Sequence, residues 1–471
     1  MKAETERSPR GMGTGRFIAL PFAAIVLSAI VWITAVSRSG FWADDFLNVT
    51  YFNRSLGNLS DDHINTGKYI ANFFWAIGTE AFGAGSVVPF LIFNSLVFAT
   101  GLVIWLRVGT KTRWSSVDAW WIAGLFTATA AWLPTALWSS NIVHSGGFLA
   151  LGVGLLAHER AMSAKTARST VAWSAASGAA WTFAVVSDLL YIGLLVIALY
   201  CSWQQTDKLR RLGSKTSTVL ARVGFWNLLL PVVYFVAVAY PATTSSTAYA
   251  KNGLQFVHEN LRYYRSLLAP SDLLTAVYAA LLVGGIAAAF AALRRRDFFV
   301  IAVLGAAGAT ALPALVQSQQ RDIHYMAMPL LLFFSALAVG MRPVLLGASA
   351  WLKGAALLAA ALTLLLVFRQ GADFRAFFVT SPYGHDLATF RSQVASLTLE
   401  GGTVCANLDV DPSNQAKFIA EMSGENGFLV PPISAARAFL LSGSAPCPVT
   451  GGIATHVTVS VNARGNFVAS G

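Results

Sequence analysis

Long apolar runs alternate with short basic ones along most of the chain. Runs of about 20 residues, the length a helix needs to cross a hydrocarbon core, begin at 17–36 and recur at 87–106. Two more lie between Asp118 and Ala157 with a turn near 138–141, and two between Val171 and Trp203 with a turn near Ser187 and Asp188. Further runs occupy 223–240, 272–293, 298–316, 324–341 and 351–368. The pattern predicts an α-helical polytopic membrane protein of about eleven spans. Beyond 368 the chain turns polar. Short β-rich runs at 402–406 and 456–461, with a helical pattern near 415–422, predict a small mixed α/β domain.

The basic residues sit at 7–16, 107–113, 160–168, 208–222, 294–296 and 342–353. Lys and Arg concentrate in cytoplasmic loops, so these segments share one side of the membrane. The N-terminus then starts inside and the C-terminus ends outside. The expected divisions are a cytoplasmic tail at 1–16, a membrane domain at 17–368 with a first outer loop at 37–86, and an extracytoplasmic domain at 369–471. The apolar run at 17–36 ends without a small-residue cleavage pattern and reads as a retained span.

Composition agrees with this reading. Of 471 residues, 55% are hydrophobic and only 12% charged. The net charge of +11 is accounted for by the topology of the loops and does not point to nucleic acid. Cys405 and Cys447 both fall in the polar tail and can form a disulfide if that tail is outside, closing a loop of about forty residues worth about 4 kcal/mol. Three glycosylation sequons, at Asn48, Asn53 and Asn58, crowd the first outer loop. Glycans there would obstruct it, which favours a bacterial cytoplasmic membrane.

Ionisable groups are costly in the bilayer interior, so their positions carry information. Here they gather at the outer ends of spans. Asp44 and Asp45 follow the first span within Phe41-Trp42-Ala43-Asp44-Asp45-Phe46. Two adjacent carboxylates repel each other, which suits one to accept a proton. Taken alone, the pair is read more simply as a solvated loop that begins where a helix leaves the bilayer. Lys68 lies later in the same loop, Asp188 marks a turn, and Arg321, His324 and Tyr325 form another outer segment. Lys68 and Arg321 break the positive-inside pattern, and a phosphate would supply their partner. Snorkelling at the interface is the alternative for Arg321. Arg262, Tyr263, Tyr264 and Arg265 alternate cation and ring in an outer loop, as an aromatic belt or as a lid over a lipid-linked phosphate. His144, at a span end, and His158, in a cytoplasmic loop, receive no role.

The arrangement resembles the GT-C superfamily of polytopic glycosyltransferases, which use lipid-phosphate-linked sugars. Those enzymes carry an acidic pair directly after the first span, matched by Asp44 and Asp45. Gly67-Lys68-Tyr69 stands where they have a glycine followed by a basic residue, although Arg is frequent there. Arg321-Asp322-Ile323-His324-Tyr325, leading to Pro329, matches a basic residue ahead of a Tyr and a Pro at the outer entrance of a late span. Asp188 has only a loose counterpart. The resemblance implies transfer of a monosaccharide from a polyprenyl-phosphate donor to an acceptor glycan, lipid or protein, with inversion. It makes Asp44 the base, Asp45 its orienter or a ligand with it for a divalent cation (Mg or Mn), and Lys68, Arg321, His324 and Tyr325 the donor-phosphate site.

Two other classes remain open. A transporter or flippase for a lipid-linked sugar would place ionisable groups near mid-span and show related halves, which are not evident. A non-catalytic membrane subunit would tolerate replacement of both Asp44 and Asp45.

Overall fold

The computed structural model describes residues between 74 and 347 with internal gaps, Leu365, and the strands of a sheet between 403 and 470; residues 1–73, 317–322 and 348–364 are among those outside it. The helices are α1 (Val88–Thr112), α2 (Ser116–Ala128), α3 (Trp132–Leu137), α4 (Ile142–Ser163), α5 (Ala167–Ser187) and α6 (Leu195–Arg211). After them come α7 (Leu230–Tyr234), α8 (Val257–Leu268), α9 (Asp272–Arg295), α10 (Phe298–Val316) and α11 (Ala327–Gly347). Five helical segments among the described residues are long and apolar enough to cross a membrane: Val88–Gly109, Ile142–Ser163, Asp272–Arg295, Phe298–Val316 and Ile323–Arg342. Each overlaps a run expected from the apolar pattern. The expected spans at 17–36 and 351–368 lie outside the described residues, Leu365 apart.

Local chemistry starts and stops these helices. Ser115 and Asp118 form a reciprocal capping box at α2, and Thr166 and Ser271 cap α5 and α9 through their hydroxyls. Hydroxyls inside α5 are satisfied without water. Thr170 donates to the Thr166 carbonyl at 2.9 Å, Ser174 to Thr170 at 2.8 Å, and Ser177 crosses to the Gly154 carbonyl on α4 at 3.1 Å.

α4 is the hub, packed against α1 on one side and α5 on another. A Cβ at Gly101 of α1 would stand 2.4 Å from the Phe148 backbone, so only glycine allows this approach. Around the crossing, Phe98 stacks on Trp132 and meets Phe148 edge-on at 4.8 Å between ring centres. On the far side Trp105 Nε1 donates to Ser335 Oγ of α11 at 3.0 Å.

These contacts set direction. α1 and α4 run parallel, α5 returns, α6 runs with α4, and α10 runs against α6, with Gly193 beside Thr310 and Tyr200 beside Phe299. The C-terminal ends of α4, α6, α9 and α11 therefore share one end of the bundle with the N-terminus of α10. Arg160, Lys208, Arg210, Arg211, Arg294, Arg295, Arg296 and Arg342 all lie there. Arg342 Nη1 comes within 3.4 Å of Asp118 Oδ2 and ties α11 to the start of α2. This basic end is the one expected to be cytoplasmic.

Three expectations need correction. His158, expected in a loop, lies inside α4 and is buried. The segment before the turn at 138–141 is not one helix: α2 stops at Ala128, where the Thr129 hydroxyl and N–H both donate to the Phe126 carbonyl, and α3 follows as a short separate helix. The stretch 241–272, expected as an outer loop, contains α8. Its Asn260 Nδ2 donates to the Leu315 carbonyl at 2.9 Å, docking the helix on the end of α10.

In the tail, five strands pair in the order β2-β3-β1-β4-β5. These are β1 (Thr403–Asp409), β2 (Phe428–Leu429), β3 (Arg437–Leu441), β4 (Ala454–Val461) and β5 (Phe467–Ser470). β1 is central and parallel to β3 and β4, while β2 and β5 add antiparallel edges. Both β-rich runs seen in the sequence are strands of this sheet.

Candidate functional site

At the end of the bundle opposite the arginines, α5 stops and the chain reverses at Asp188. This residue is extended, with φ −158° and ψ 142°, and its backbone N–H still reaches the Ala184 carbonyl. Its Oδ1 accepts from the Leu190 N–H at 2.9 Å and so starts the 3-10 turn Leu189–Leu194. The other oxygen, Oδ2, faces His144 Nε2 of α4 at 3.9 Å.

Tyr191 sits inside that turn and holds the same histidine from behind. Its hydroxyl donates to the His144 carbonyl at 3.0 Å and stands 3.2 Å from His144 Nδ1. Since the phenolic proton is given to the carbonyl, the phenol oxygen is left to accept Nδ1–H. That directs Nε2 toward Asp188. Protonated at both nitrogens, the ring would present one N–H to a phenol and the other toward a carboxylate.

The third element is the 3-10 turn Ile323–Met326 that leads into α11. It places the His324 ring 4.7 Å and the Tyr325 ring 5.2 Å from His144, centre to centre, and those two rings 4.4 Å from each other. His144 and His324 are both buried. A buried imidazole pair beside a carboxylate is a compact proton-handling and anion-facing arrangement.

The backbone beneath is fixed by side chains that bond to carbonyls. Thr135 O accepts from Asn94 Nδ2 at 2.9 Å and from Ser145 Oγ at 3.0 Å, while Ser95 donates to Ala136 O at 2.9 Å. Gly147 completes the fit, because a Cβ there would lie 2.3 Å from the Tyr191 ring.

Of the residues singled out in the sequence, Asp188, His324 and Tyr325 are thus brought to one end, with Asp188 and His324 both flanking His144. Asp44, Asp45, Lys68, Arg321 and Cys447 lie outside the described residues. Cys405 is in β1, opposite Phe439 and His456, and its expected disulfide involves a residue outside the described ones. Arg262, Tyr263, Tyr264 and Arg265 lie on α8. Tyr264 is buried in the apolar core, and Arg265 reaches Thr275 at 3.2 Å and Asp272 at 3.7 Å on α9. Among the described residues no three His, Cys, Asp or Glu side chains form a metal-binding group. Asp44 and Asp45, where a divalent cation is one of the two expectations, lie outside the described residues.

His144 has no role in the sequence reading, and Tyr191 and Gly147 are not singled out there. The signal for His144 is present in the sequence: it stands at a span end, as Asp188 does, and is followed by Ser145-Gly146-Gly147, which opens room for a neighbour.

No family model matches the chain, and no curated protein matches it. Among solved structures the chain is similar to "Crystal Structure of ArnT from Cupriavidus metallidurans in the apo state", at 14% identity and a TM-score of 0.46, over 84% of this chain and 83% of that one.

Proposed function

We propose that the chain is a membrane glycosyltransferase of the GT-C type that moves a monosaccharide from a polyprenyl-phosphate donor to an acceptor glycan, lipid or protein. The observation that carries this reading is the meeting of Asp188, His144, His324 and Tyr325 at the bundle end opposite the arginines. It is supported by the sequence motifs around Asp44, Lys68 and Arg321. In this reading the reaction takes place at the extracytoplasmic face of a bacterial cytoplasmic membrane. The sheet at 403–470 belongs to an outer domain.

The chemistry follows from the residue types. Asp44 takes the proton of the acceptor hydroxyl as its oxygen attacks the anomeric carbon. The bond from that carbon to the donor phosphate oxygen breaks, and the electron pair leaves with the lipid phosphate. Attack opposite the leaving group inverts the centre. Lys68 and Arg321 carry fixed positive charge to the departing phosphate, and His324 adds an N–H. His144, held by Tyr191 and facing Asp188, supports His324 and keeps its ring in place. Asp45 orients Asp44 or shares a divalent cation with it, since hard cations prefer carboxylate oxygens.

The test is transfer by the purified full chain in nanodiscs, supplied with a panel of radiolabelled polyprenyl-phosphate monosaccharides and an envelope acceptor fraction. Transfer by the wild type and none by Asp44→Asn is expected. Equal transfer by both would remove Asp44 as base. Failure with every donor would shift weight to a lipid-linked sugar flippase.

A further inference from the structure

The end of α10 nearest the candidate site is built unlike the rest of that helix. Pro313 lies inside it, offers no N–H to the Ala309 carbonyl and crowds that carbonyl with its ring, so the helix bends most easily between 309 and 313. One turn earlier, the buried Thr310 hydroxyl donates to the carbonyls of Ala306 at 2.8 Å and Ala307 at 3.1 Å. Such back-bonding inside a helix also favours a bend.

Beyond the proline, two carbonyls at the tip of α10 are taken by the α8 segment. Leu315 O accepts from Asn260 Nδ2 at 2.9 Å, and Val316 O accepts from the Gly253 N–H at 2.8 Å. Gly253 opens the 3-10 turn Leu254–Phe256 that runs into α8, so both the entry to α8 and its first turn hang on this tip. The helix is otherwise lightly seated. Of its twelve residues Asn260 and Tyr264 are buried, and its far end is held to α9 by Arg265 and Asp272, a pair open to solvent that contributes little.

On the other side of the bend stands the turn Leu189–Leu194. A Cβ at Gly193 would lie 2.4 Å from Thr310 N and 2.6 Å from the Ala309 carbonyl carbon. The turn therefore rests on α10 backbone to backbone, with no flexible side chain between them to absorb a shift. The same turn contains Tyr191 and is started by Asp188, the two residues that hold and face His144. We infer that α8 and the tip of α10 move as one strap about Pro313, and that the turn Leu189–Leu194 reads the position of the strap through Gly193. Seating of α8 then sets how Tyr191 and Asp188 hold His144, and the candidate site is controlled from the surface helix.

The test is amide hydrogen exchange of the full chain in nanodiscs, read by mass spectrometry. Asn260→Leu, which removes the bond to Leu315, should speed exchange about tenfold across 254–268 and across 189–195, and leave 167–187 unchanged. With Pro313→Ala, which makes the bend an ordinary helical turn, Asn260→Leu should still free 254–268 but leave 189–195 at the wild-type rate. No acceleration across 254–268 overturns the strap, and none across 189–195 overturns its coupling to the site. Equal acceleration of 189–195 with and without Pro313 overturns the hinge. Acceleration of 167–187 to the same degree marks a general loosening of the bundle and overturns the whole proposal.

Discussion

One helix carries two buried histidines, and their surroundings differ. His144 and His158 are 14 residues apart on α4, about 21 Å along its axis. His158 is closed in by amides: its Nε2 is 3.0 Å from Gln204 Oε1 and its Nδ1 is 3.1 Å from Gln205 Nε2. Gln205 in turn accepts from Asn227 at 3.0 Å. Every one of these partners is neutral, and a second proton on His158 would turn Nδ1–H against an amide donor. His144 meets a phenol, a carboxylate and another imidazole. The same residue type is therefore held by neutral amides at one end of the helix and set beside a phenol, a carboxylate and a second imidazole at the other. What decides its role is whether its neighbours tolerate a change of protonation.

The contrast can be broken at several points. The largest expected effect is at Asp44, the proposed base, where Asn should lower transfer by at least about 10³-fold with expression unchanged, measured as radiolabelled product per mole of enzyme. Next, Asp188→Asn and His144→Ala should each lower kcat by about 10- to 100-fold, whereas His158→Leu should leave turnover within about twofold and lower only thermal stability. If His158→Leu abolishes transfer as fully as His144→Ala, the two histidines are not different in kind. Gly147→Ala pushes a methyl group into the Tyr191 ring and should cost about 1 to 3 kcal/mol in stability, with a matching loss of turnover as His144 loses its support. Gly213, whose added Cβ would meet nothing within 4 Å but whose φ is +80°, is the control for strain without crowding. Smallest is Arg342→Gln, which breaks a pair that is half open to solvent and should change stability by about 0.5 kcal/mol or less, seen as a minor shift in Tm.

Much of the membrane scaffold was legible in the sequence. The apolar runs at 87–106, 272–293, 298–316 and 324–341 lie within a few residues of the helices, because nothing but a helix satisfies a backbone in hydrocarbon. The turn at Asp188 was also readable, since a lone carboxylate between two apolar runs has to sit at an end. α2 and α3 were not separable, because the break depends on a threonine hydroxyl competing for one carbonyl, which hydropathy does not register. α8 was missed for a related reason. Arg262, Tyr263, Tyr264 and Arg265 read as a loop when weighed by residue type, but their spacing puts Tyr264 inward and both arginines outward on a docked amphipathic helix. At the candidate site, single residues were legible and their meeting was not. His144 has meaning only through Tyr191 and Asp188, 47 and 44 positions away, and no local pattern joins them.

The placement of α4 bears on how the protein enters its membrane. It is the least apolar of the five candidate crossings, with a mean hydropathy of 1.2 against 2.2 for α9, and it is mostly enclosed by its neighbours. A translocation channel that sorts segments by their own partition into lipid would hold α9 readily and α4 poorly. The helix that carries both histidines thus depends on α1 and α5 for its residence in the bilayer. Under the proposed function, biogenesis and activity would be coupled through the least apolar of these five crossings.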